Sequence, residues 1–157
     1  MMNSNKDKFS VLVVDDDPSY RSVLQTIYVR ANFLVTTAEN GKAAVRLMEK
    51  DHYDLVVSDL QMPEIDGASL YRFMQQYYPQ TCVILMGADL KDERYASLME
   101  TKGVHWLSKP FRRAEVLKLS QELLENVRKE QHATDEFQEP LKEKSQTTAT
   151  LSSHLRN

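Results

Sequence analysis

Short apolar runs and longer amphipathic stretches alternate five times along this chain. Residues 9–14, 54–58 and 81–86 are runs rich in valine, leucine and isoleucine, too short for helices, and read as buried strands. Residues 33–37 form a β-branched strand, and 104–107 a shorter fifth one. Between them, Val23, Leu24, Ile27 and Tyr28 recur at helical spacing as far as about residue 30. Ala43, Ala44, Leu47 and Met48 mark a second helix, and Leu70, Phe73, Met74 and Tyr77 a third. A fourth helix is predicted over 90–101. A last one starts near residue 112 and carries Val116, Leu117, Leu123, Leu124 and Val127. Asp17 and Pro18 open the first helix, the aspartate as N-cap and the proline in the first turn. The glycines and the first four prolines fall between elements, so local chemistry and periodicity agree.

Continuously apolar strands imply a sheet covered on both faces, which is the parallel kind. Right-handed crossovers then give an α/β, doubly wound fold. The flavodoxin-like order 2-1-3-4-5, with five strands and five helices, comes from the fold class and not from the pattern. It sets the carboxyl ends of strands 1 and 3 side by side, where such sheets bind ligands. Polar residues stand at those ends: Asp15 and Asp16 after the first run, Asp59 after the third, Lys109 after the fifth. Three converging carboxylates repel unless a divalent cation joins them. A lysine beside them suits a phosphoryl group, so one aspartate reads as a phosphate acceptor and the protein as a switch. Plainer readings exist. Asp15 and Asp16 could be a cap cluster, Asp17 is a cap and no ligand, Asp66-Gly67 is turn chemistry, and Lys109 alone could be a solvated side chain.

Composition narrows the picture. At 157 residues, 41% hydrophobic and 27% charged, the chain is that of a globular protein with one ordinary core. A net charge of −3 gives no electrostatic case for nucleic acid. One cysteine, Cys82, cannot form an internal disulfide, and no apolar run approaches the roughly 20 residues that span a bilayer. The polar first eight residues lack a secretory apolar segment, so the expected location is cytoplasmic, with no membrane contact. His52, His105, His132 and His154 lack metal-ligand spacing. The expected organisation is a polar extension over 1–8, a folded domain over 9–127 and a polar tail over 128–157. The final helix runs a turn or two into that tail, and disorder follows.

The segments Val13-Val14-Asp15-Asp16-Asp17-Pro18, Ser58-Asp59-Leu60-Gln61-Met62-Pro63-Glu64-Ile65-Asp66-Gly67 and Lys109-Pro110-Phe111 closely resemble the receiver domain of two-component response regulators. The resemblance covers about 9–127. It implies that Asp59 accepts a phosphoryl group from a partner histidine kinase, a phosphotransfer protein or a small acyl phosphate. It implies Mg²⁺ held by Asp16, Asp59 and the Gln61 carbonyl, with Asp15 acting through water. Lys109 would pair with a phosphoryl oxygen, and its bond to Pro110 would be cis.

The chain departs from the family pattern where a threonine or serine hydroxyl usually ends strand 4; here Gly87 stands there. The switch aromatic is Trp106, which reads either as core or as facing a partner, together with Tyr95, Lys91, Arg94, Arg112 and Arg113. The positions that tune dephosphorylation in the family are Gln61 and Asp89. A backbone N–H near Gly87 or Ala88 is expected to replace part of the missing hydroxyl's role. The leading function is a stand-alone phosphorylatable receiver, monomeric or weakly dimeric, signalling through contacts with an unidentified output protein. The alternative is a phosphate-independent binding module. An aspartate-nucleophile phosphatase needs a second aspartate where Gln61 stands, so no enzyme activity beyond self-phosphorylation and self-dephosphorylation is expected.

Overall fold

A computed structural model describes residues 7–154, with side-chain surroundings for 7–135. Most of the N-terminal extension expected over 1–8 (residues 1–6) and the last three residues of the tail lie outside the described residues. The chain divides into two units, Met1–Gln121 and Glu122–Asn157.

In the first unit five strands, β1 (Ser10–Val14), β2 (Leu34–Ala38), β3 (Leu55–Asp59), β4 (Cys82–Gly87) and β5 (His105–Ser108), form one sheet in the order β2-β1-β3-β4-β5. Every neighbouring pair is parallel. The order is the expected one, and the central strands explain it. Val11 to Val14 in β1 and Leu55 to Val57 in β3 are fully buried, so both faces of these strands need cover. Helices α1 (Pro18–Arg30), α2 (Gly41–Lys50) and α3 (Gly67–Tyr77) supply part of it. Each starts on a side-chain cap. Asp17 accepts from the Ser19 N–H at 2.8 Å, Asn40 from Ala43 at 2.8 Å and Asp66 from Ser69 at 2.7 Å.

β1 ends at Val14 as expected, but the other four strands end one residue later than the apolar runs suggest, and this shift matters. β3 closes on Asp59, and β5 closes on Ser108, immediately before Lys109. Val14 pairs with Ser58 and Asp59 with Met86, so the residue after β1 lies beside the last residue of β3.

The fourth helix is much shorter than predicted. A 3-10 turn, Glu93–Tyr95, leads into α4 (Ala96–Met99). The preceding residues spend their side chains on local bonds: Asp89 accepts from the Lys91 N–H at 3.1 Å and Asp92 from the Arg94 N–H at 2.9 Å. Such aspartate turns compete with helix, which periodicity alone does not reveal. The final helix, α5, is assigned over Arg113–His154 and supplies the described part of the second unit. This is longer than the turn or two expected past 127. The glutamate, glutamine and lysine that made the tail look coreless are also good helix formers.

Candidate functional site

The site is assembled at the carboxyl edge of the sheet, from the last residue of β3 and the loops after β1 and β5. The chain leaves β1 through Asp15, fully buried, and Asp16, exposed. Asp15 is fixed from several sides. Its Oδ1 accepts from the Asp17 N–H at 2.9 Å, its Oδ2 from the Lys109 ammonium at 2.9 Å, and its backbone carbonyl from the Arg21 guanidinium at 2.7 Å. Asp59, 8% exposed, lies 3.3 Å from Lys109 Nζ through Oδ1. The ammonium therefore bridges two carboxylates from different strands. One oxygen each from Asp15, Asp16 and Asp59 lies within 4.8 Å of the others.

Electrostatics follow from this crowding. Burial pushes the Asp59 carboxyl up to about 6; the Lys109 charge opposes the shift, and the Asp15 and Asp16 charges add to it. Burial works against the Lys109 ammonium, but its hydrogen bond to Asp15 and the charges of Asp59 and Asp15 outweigh that, and its pKa rises.

Backbone packing holds the acceptor strand end in place. A Cβ on Gly67 would lie 2.5 Å from the Asp59 carbonyl oxygen, so only glycine lets the start of α3 approach β3 so closely. The Lys109 N–H donates to the Gly87 carbonyl at 2.9 Å, and the Lys109–Pro110 peptide is cis. An open groove of about 470 Å³ beside the cluster is lined by Asp16, Pro18, Arg21, Glu39, Asn40, Pro63 and Glu64.

The geometry thus brings Asp15, Asp16, Asp59 and Lys109 together. Gln61 and Asp89 are both exposed on loops, after β3 and β4 respectively. Gly87 is buried at the end of β4, and a Cβ there would come within 3.2 Å of Leu90 Cδ2. Leu90 thus crowds the place where a hydroxyl-bearing side chain would begin. Trp106 is half-buried against the core, and its indole Nε1 is buried with no hydrogen-bond partner among the described residues. Tyr95 corrects the sequence reading: it is 6% exposed and belongs to the core cluster, not to an exposed face. Tyr95 ends the 3-10 turn and stands three residues before Leu98, which is buried in the same cluster.

Sequence reasoning missed Tyr20 and Arg21. The Tyr20 ring centroid is 4.0 Å from Lys109 Nζ, and Arg21 ties down the Asp15 carbonyl. An aromatic and a basic residue in the first turns of α1 carry no signal of their own in the sequence.

The family model of the response regulator receiver domain matches residues 11–121. The chain belongs to the response regulator receiver family. The transcriptional regulator NtrC of Proteus hauseri is 30% identical over 123 residues, which are 78% of this chain and 26% of that protein. This receiver chain thus spans about a quarter of the length of that curated relative. Among solved structures, the signal receiver domain of an HD domain-containing protein from Pseudomonas fluorescens aligns with a TM-score of 0.73 at 26% identity, covering 80% of this chain and 93% of that one. The receiver domain of a sensor histidine kinase from Pseudomonas aeruginosa, described with magnesium in its active-site cleft, aligns at 0.67 and 28% identity over 74% and 98%. Among the described residues of this receiver, no helix is long and apolar enough to cross a membrane.

Proposed function

We propose that this receiver accepts a phosphoryl group on Asp59 from a histidine kinase or phosphotransfer protein and signals through protein contacts. The observation that carries this reading is the Lys109 ammonium, bridging Asp15 and Asp59 across two strands. An Asp59 oxygen attacks the phosphorus of a phosphohistidine. The new O–P bond forms as the P–N bond breaks, and the electron pair leaves with the imidazole. Lys109 turns from the Asp59 oxygen to a phosphoryl oxygen that replaces it. Asp59 is suited to attack because it is ionised in its majority at neutral pH yet poorly solvated.

Three clustered carboxylates, hard oxygen donors with an excess of negative charge, fit a resident Mg²⁺. Asp15, Asp16 and Asp59 would hold it, with the Gln61 carbonyl. When bound, it supplies neutralisation of the charge that gathers on the phosphoryl oxygens. Gln61 and Asp89, both exposed, are assigned to tuning hydrolysis of the aspartyl phosphate. No independent small-molecule substrate is proposed, and the location proposed is cytoplasmic. The DNA-binding regulation named for the Proteus relative belongs to that longer protein.

One observation favours a second reading, a phosphate-independent binding module. Leu90 packs beside Gly87 where the family places a hydroxyl, which removes the usual link to Trp106. The deciding experiment is intact mass after incubation with acetyl phosphate and Mg²⁺, repeated with a phosphorylated histidine kinase. A gain of one phosphoryl group in wild type and none in Asp59→Ala is expected. No gain from either donor would leave the binding module standing.

A further inference from the structure

We propose that Tyr20 is a positioning residue that holds the Lys109 ammonium over the carboxylate cluster, an inference resting on the receiver chemistry above. Lys109 Nζ sits 4.0 Å from the Tyr20 ring centroid while reaching Asp15 at 2.9 Å and Asp59 at 3.3 Å. Its side chain is only 10% exposed, so little water competes for it, and a cation over an aromatic face gains most where water is displaced. The ring is itself braced. Phe111, two residues beyond Lys109, packs against Tyr20 with centroids 5.8 Å apart. Tyr20, Phe111 and Lys109 therefore close a small circuit between the first turn of α1 and the loop after β5.

The reason for a third holder lies in what happens to the other two. Asp59 is consumed as nucleophile, and Asp15 would be shared with a cation bound at the cluster. Neither is reserved for Lys109 throughout the reaction. Tyr20 takes part in neither role, and its attraction for the ammonium is present before and after transfer. The contact of Tyr20 with Lys109 runs through the ring, whose centroid lies 4.0 Å from Nζ. Phenylalanine should therefore keep it, and leucine, of similar apolar character without the quadrupole, should not.

The test uses the full chain as wild type, Tyr20→Phe and Tyr20→Leu, with Asp59→Ala as the blank. Rates of phosphorylation by acetyl phosphate with Mg²⁺ are read by intact mass. In parallel, the Lys109 ε-methylene proton shift is read by NMR on protein with labelled lysine, the signal being assigned by its loss in Lys109→Arg. We expect an upfield ring-current shift in wild type and Tyr20→Phe that disappears in Tyr20→Leu. We expect the rate to fall roughly three- to tenfold in Tyr20→Leu and to be largely retained in Tyr20→Phe, the scale of one cation–π contact. A Tyr20→Leu rate equal to wild type, or a Tyr20→Phe rate as low as Tyr20→Leu, overturns the proposal. If no donor phosphorylates wild type, the receiver reading fails instead. The lysine signal then decides the Tyr20 contact alone, and an unshifted wild-type signal overturns it.

Discussion

At the scale of single residues, the site depends on a carboxyl group kept where it is least comfortable. Asp59 has its pKa raised from 3.8 to about 6, first by burial and then by its acidic neighbours, with Lys109 pulling the other way. A folded-state pKa above the unfolded one means that the folded chain binds this proton more tightly. The contribution is fully present below about pH 3.8 and is lost as pH rises through 6. Metal-free wild type should thus be penalised by this group at neutral pH, and Asp59→Asn, which cannot ionise, should not. The variant is expected to be the more stable at pH 7.5, by on the order of 1 kcal/mol after allowing for solvent screening. The two should converge near pH 4 in urea melts without Mg²⁺. Equal stability at pH 7.5 would refute the assignment of strain to Asp59.

Asp15, Asp59 and Lys109 were legible in the sequence because each stands at the end of an apolar run, Asp15 directly and the other two after one serine, and strand ends are where parallel sheets present ligand groups. Tyr20 was not legible. An aromatic residue in the first turn of a helix reads as ordinary amphipathicity, and only the fold brings it to a lysine 89 positions away (109 − 20).

At the scale of elements, the sheet was readable and the fourth helix was not. Strand existence and order agreed with expectation, with boundaries displaced by about one residue because the ladder continues through polar residues such as Asp59 and Ser108. Hydrophobic patterning cannot see that, since a polar last residue still pairs. The 90–101 segment failed for a different reason: Asp89 and Asp92 satisfy nearby backbone N–H groups in turns, and helix is left only the four residues Ala96–Met99. The packing of α3 on β3 gives a prediction at this scale. In Gly67→Ala the new methyl would meet backbone atoms, the Asp59 oxygen at 2.5 Å and Leu60 Cα at 2.8 Å, neither of which can rotate away. A loss of about 1–3 kcal/mol in urea denaturation is expected, together with slower phosphorylation because the acceptor strand end is what moves. A Gly67→Ala protein as stable as wild type would contradict the close approach.

For the molecule as a whole, the carboxylate cluster links β1 to β3, so a cation bound there should act on global stability. Mg²⁺ at about 100 times its dissociation constant should add about 2.7 kcal/mol, seen as a thermal midpoint several degrees higher. The gain should be larger at pH 7.5 than at pH 5.5, because Asp59 must be ionised to take part. It should fall sharply in Asp16→Ala. A midpoint indifferent to Mg²⁺ at both pH values would argue against the cluster as a metal site.

Gly87 and Leu90 carry one more consequence. A hydroxyl at the end of β4 conveys news of a phosphate by the direction of a bond, which is specific for an oxygen acceptor. Leu90 Cδ2, 3.2 Å from where a Cβ on Gly87 would stand, has no such direction to offer. The side-chain contact between Gly87 and Leu90 is therefore one of hydrocarbon, and a directional bond to a phosphoryl oxygen at this end of β4 has to come from the backbone.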